Sequence, residues 1–188
     1  MSLKSSPIPP IPEVTACVAR AAFPHGNVVM QLRDALGTIY TDEVFADLFP
    51  THGQPAEAPW RLALVTIFQF LEGLTDRQAA EAVRDRLAWK YALSLELTDV
   101  GFDHTVLSEF RSRLVKGGAE QRLLDLLLER CRQGGWLNVF VNYIGAHVQL
   151  VWCLDQVLRR TRERSSSKRA RPYICLFRNF RRVMCPST

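Results

Sequence analysis

The sequence predicts an all-α protein: a bundle of five or six helices with a helix-turn-helix-like pair, followed by an irregular C-terminal tail. Three observations carry this. Before residue 137 apolar residues recur at helical spacing, and no stretch alternates as a half-buried strand would. The helical stretches are bounded by side-chain caps at their starts and glycines at their ends. A chain of 188 residues, 47% hydrophobic and 23% charged, has the size and composition of one globular domain with room for extra segments.

The elements follow in order. Residues 1–26 carry Pro7, Pro9, Pro10, Pro12 and Pro24, which predicts an extended arm packed only locally. Residues 27–137 form the helical domain. Its first helix follows Asn27, turns Val28, Leu32, Ala35 and Leu36 inward, and stops at Gly37. A short helix is expected over 41–48, then a loop, THGQPAEAP, dense in turn residues. Residues 60–72, WRLALVTIFQFLE, are apolar nearly all round, so this helix belongs in the centre of the bundle. Gly73 ends it. Thr75 and Gln78 then form a capping box for a helix over 75–87, with Ala79, Val83 and Leu87 at spacing four. A 15-residue connection holding Trp89 and Tyr91, read as core anchors, leads to Asp103. Asp103 caps a helix over 103–115 whose apolar series is Val106, Leu107, Phe110 and Leu114. Gly117 and Gly118 break it. A last amphipathic helix over 119–133 presents Leu123, Leu124, Leu127 and Leu128 before Gly134 and Gly135.

The net charge of +5 is unevenly placed. Residues 1–155 hold 14 Lys/Arg against 18 Asp/Glu, whereas residues 156–188 hold 10 Lys/Arg against Glu163 alone. The basic balance therefore belongs to the tail and says nothing for nucleic acid at the helical body. Five cysteines show no CxxC pair and no regular spacing, which argues against a disulfide framework or a zinc site and for reduced thiols in the cytoplasm. Neither a metal nor a cofactor is expected, since His25, His52 and His147 lack second ligands at usable spacing. Residues 138–154 approach the length of a membrane helix, but Asn138, Asn142, His147 and Gln149 are costly in lipid, and no membrane association is expected.

The blocks LTDRQAAEAVRDRLAWKYAL, FDHTVLSEFRSRL and LLDLLLERCRQGGWL occur in that order. Together they resemble the N-terminal domain of bacterial insertion-sequence transposases, of the insertion-sequence-five-like group with an Asp-Asp-Glu catalytic domain. The resemblance covers about residues 44–137. It implies a helix-turn-helix-like module that engages the terminal inverted repeats of a mobile element. A second copy of the chain or an intact transposase would be its protein partners. In that family a ribonuclease-H-like domain follows, with a first strand like R-x-D-S-T-H. Here NVFVNYIGAHVQLVWCL stands in that place. After Leu137 the carboxylates are Asp155 and Glu163 alone, too few to hold two metal ions, so no catalytic residue is assigned and the chain is not expected to be an enzyme. The Arg-, Ser- and Cys-rich tail, 138–188, reads as the product of a frameshift that truncates a transposase.

Two arrangements compete for the DNA-reading helix. A tight pair, 60–72 and 76–87, would turn Arg77, Gln78, Glu81 and Arg84 to the groove. Alternatively 75–87 supports and 103–115 reads. The second is favoured because the first would present Asp76, Glu81 and Asp85 to a polyanion. At about 100° per residue, Leu107, Phe110 and Leu114 share one side, with Thr105, Ser112 and Lys116 opposite and Ser108 and Arg113 on the flanks. Thr105, Ser108, Ser112, Arg113 and Lys116 are therefore the candidate DNA-binding residues. Arg111 projects about 40° from Leu107 and should pair with a carboxylate instead.

Overall fold

The computed structural model describes residues 2–3 and 7–136. Within them lie seven α-helices and one 3-10 helix and no strand. The helices are α1 (Glu13–Ala22), α2 (Val28–Leu36), the 3-10 helix (Asp42–Leu48), α3 (Pro59–Glu72), α4 (Asp76–Asp85), α5 (Leu87–Ala92), α6 (His104–Lys116) and α7 (Glu120–Gln133). The all-α reading holds, and every helix it expected is present. The tail expected over 138–188 lies outside the described residues.

Helix α3 is the axis of the bundle. Pro59 occupies its first position, where a missing N–H costs nothing. All its residues except Arg61 and Glu72 are buried, Val65, Phe68 and Leu71 among them. The buried Thr66 hydroxyl is satisfied locally, donating to the Leu62 carbonyl at 2.8 Å. Helices α4 and α6 and the 3-10 helix pack around α3, and α4 packs on α6. Aromatic rings fill the space between, with Phe45 edge-on to Phe110 at 5.6 Å. Helix α7 closes the far side with Leu123, Leu127 and Cys131, and the Tyr40 hydroxyl donates to the Leu123 carbonyl at 2.7 Å.

The turn from α3 to α4 follows the sequence closely. Gly73 adopts a left-handed conformation (φ 65°, ψ 32°), which only a residue without a Cβ takes up cheaply. Thr75 and Gln78 form the full capping box, with the Thr75 N–H donating to Gln78 Oε1 at 2.9 Å.

Two helices depart from expectation. Residues 13–22 are helical rather than extended, and they pack on residues far along the chain. The Thr15 hydroxyl donates to the Leu95 carbonyl at 2.9 Å, and Ala19 is buried with Met30, Ala88 and Tyr91. The prolines punctuate this helix: Pro12 precedes its first residue and Pro24 follows its end. The second departure is α5. Helix α4 ends at Asp85, Arg86 is extended, and the chain resumes as a six-residue helix where a connection was expected. This helix buries Ala88, Trp89, Lys90, Tyr91 and Ala92. Trp89 and Tyr91 are the anchors the sequence suggested, at 1% and 0% exposure. Buried Lys90 is satisfied by the segment that follows, donating to the carbonyls of Asp99 (2.7 Å) and Glu96 (3.3 Å). The rest of the α5–α6 connection thereby folds back over α5.

Candidate nucleic-acid interface

Helix α6 is placed by its cap and by one ion pair. The Asp103 carboxylate accepts from the Thr105 N–H at 2.9 Å and from the Thr105 hydroxyl at 2.7 Å, and these bonds hold its pKa below the usual value. His104 Nδ1 lies 3.4 Å from the same carboxylate, so His104 belongs to the cap. On the inner side Leu107, Phe110 and Leu114 enter the core. Arg111 is 7% exposed, and its guanidinium bonds Asp76 at 2.5 Å and reaches Gln69 Oε1 at 3.5 Å. Gln69 in turn donates to Asp76 at 2.7 Å. Burial alone would raise the Asp76 pKa, but hydrogen bonds from Arg111 and Gln69 and the charge of Arg111 hold it below the ordinary carboxylate value. Arg111 thus ties α6 to the start of α4 and faces away from solvent, as its angular position implied.

The outward side of α6 borders an open cleft of about 640 Å³ that faces the end of the 3-10 helix. Four of the five candidate residues line it: Ser108, Ser112, Arg113 and Lys116. Thr105 does not; it is exposed at the cap. The cleft also contains Asp47 and Glu109. Asp47 is neutralised by a two-pronged bond from Arg122 at 2.8 and 3.1 Å, which lowers its pKa. Glu109 is exposed, and no such bond ties it among the described residues.

The five candidates differ in how free they are. Lys116 is exposed at the C-terminal end of α6. Arg113 is half-buried: it donates to the Leu48 carbonyl at 3.3 Å and lies over the Phe49 ring at 4.9 Å. This attachment across 65 residues was not readable from the helix alone. The hydroxyls of Ser108 and Ser112 donate to their own helix, to the Thr105 carbonyl (2.8 Å) and the Ser108 carbonyl (2.9 Å). Glu109 is the residue that sequence reasoning passed over. The signal for it was present, since it falls within about 60° of arc with Thr105, Ser112 and Lys116.

The competing surface on α4 is more occupied. Gln78 serves the capping box, Arg84 Nε donates to the Val100 carbonyl at 3.1 Å, and Glu81 and Asp85 are exposed beside them. The described residues contain no group of three or more His, Cys, Asp or Glu able to hold a metal ion, and no helix long and apolar enough to cross a membrane.

The fold and this helix arrangement define an all-helical module in which two capped helices, α4 and α6, rest on a buried third. The family model described as Transposase domain (DUF772) matches residues 18–113, just over half of the chain, and the chain belongs to that family. The match begins inside α1 and ends at Arg113, taking in the cap, Arg111 and all the candidate residues except Lys116. No curated protein and no solved structure matches the chain.

Proposed function

We propose that this transposase-related chain is a DNA-binding module that recognises the terminal inverted repeats of a mobile element, with α6 as the reading helix. The observation that carries this is the outward side of α6: it gathers hydroxyls, Arg113 and Lys116 along one open cleft in a chain of a transposase family. The motifs also resemble those of the insertion-sequence-five-like group, which supports a relation to Asp-Asp-Glu chemistry. That chemistry needs converging carboxylates on two metal ions, which residues 27–137 are not proposed to supply. An intact transposase would provide it, or a second reading frame of the same gene.

Binding is tested with the full chain and duplexes carrying the element's two ends, titrated with salt. Lys116→Ala should lower affinity and flatten the dependence of log K on log salt by about one unit, with melting temperature unchanged. Arg113→Ala should do the same and also lower stability by about 1 kcal/mol, because it loses the Leu48 carbonyl and the Phe49 ring. Identical binding by wild type and both variants would remove α6 as the reading helix. The frameshift is tested on the gene. Another frame, starting near codon 138, is expected to encode a strand-like segment with an Asp-Ser/Thr motif, followed by further carboxylates. Three frames without that motif would exclude it.

A further inference from the structure

Lys116 apart, the outward side of α6 is a row of acceptors. Thr105, Glu109, Ser112 and Lys116 fall within about 60° of arc, with Ser108 and Arg113 about 40° beyond on either side. Each hydroxyl proton in this row is already used inside the protein: Thr105 on Asp103, Ser108 on the Thr105 carbonyl, Ser112 on the Ser108 carbonyl. What these groups turn outward is oxygen lone pairs. Glu109 stands at mid-helix in the same row, exposed and without an ion pair among the described residues. The cations Arg113 and Lys116 sit toward the C-terminal end.

Phosphate oxygens are acceptors only, so an acceptor row cannot bond them, and a carboxylate is repelled by them. Donors on a DNA surface are found on base edges. In the major groove they are the amino groups of cytosine and adenine. Adenine places the N7 acceptor beside its amino group, which opposes a carboxylate. Cytosine has no acceptor there. We infer that Glu109 is a specificity-determining residue that accepts from the amino group of a cytosine in the major groove, while Arg113 and Lys116 hold the adjacent phosphates. This rests on the reading of α6 as the DNA-facing helix.

The experiment selects from a pool of randomised duplexes with the full-length wild type, Glu109→Gln and Glu109→Ala, and then measures affinity for the winners. The wild-type pool should fix a C·G pair at one position. Glu109→Gln, which offers a donor and an acceptor matched to adenine, should move that position toward A·T and bind the wild-type winner roughly tenfold more weakly. Glu109→Ala should relax the same position, and both should keep the wild-type melting temperature and salt slope. If both variants return the wild-type sequence and bind it uniformly more tightly, Glu109 lies outside the groove; the inference falls and DNA binding by α6 stands. If the wild type enriches nothing and Lys116→Ala changes nothing, the reading of α6 fails and the inference goes with it.

Discussion

Trp89→Ala should destabilise the domain by about 4 kcal/mol, the largest single loss expected in this structure. The Trp89 ring is 1% exposed and meets Phe68 at a centroid distance of 5.4 Å. Its indole N–H donates to Glu72 Oε1 at 3.0 Å, and Arg86 pairs with the other oxygen of that carboxylate. Truncation opens a large cavity beside α3 and removes the donor that joins α5 to the end of α3. Trp89→Phe separates the two effects: it keeps most of the packing and should cost about 1.5–3 kcal/mol, the value of one partly buried hydrogen bond to a charged group. Denaturant midpoints of the three proteins check this. A loss below about 1 kcal/mol for Trp89→Ala would mean that α5 does not anchor the bundle.

Arg111→Ala follows, at about 3 kcal/mol, because it strands a carboxylate that is 27% exposed on its side chain. The guanidinium also has an Nε atom buried with no partner, so the ion pair is imperfect. For that reason Arg111→Met combined with Asp76→Leu should recover most of the loss, as apolar replacements of buried pairs commonly do. The sign with pH follows from Asp76. Its pKa in the fold is held below the ordinary 3.8, so its contribution is full above that value and disappears as pH falls through the lowered one. The gap between wild type and Arg111→Ala should therefore be widest near neutral pH and narrow in acid. Thermal melts from pH 7 down to about 3 measure it. A constant gap across that range would show that Arg111 contributes by packing rather than by its charge.

The parts of this fold that were legible are those encoded within a few residues. The capping box at Thr75, the Asp103 cap, the glycine after α3 and the all-round apolar character of α3 each predict a local geometry that the structure contains. The sorting of α6 into an inner Arg111 and an outer Lys116 needed only the helical repeat. Helix α1 was hidden because its pattern is inverted: Thr15 and Ala19 are buried, while Val14 and Val18 are 61% and 41% exposed. Periodicity of hydrophobic residues cannot find a helix whose anchors are a hydroxyl and a methyl. Helix α5 was hidden by brevity, since six residues that are buried almost throughout show no polar face. In the interface, the attachment of Arg113 to Leu48 and Phe49 depends on tertiary packing and left no mark at short range.

The hydrogen bond from Thr15 to Leu95 spans 80 residues, and it sets a schedule on the growing chain. At synthesis rates of about 5–20 residues per second, α1 leaves the ribosome some 4–16 s before the carbonyl that receives it. Its other cover, Ala88 and Tyr91, arrives equally late. During that interval Ala19 of α1 has only Met30 of α2 from its cluster, and the α5 side of both helices stays uncovered. The first helix to be made thus waits for α5, the shortest helix, before its buried side is covered.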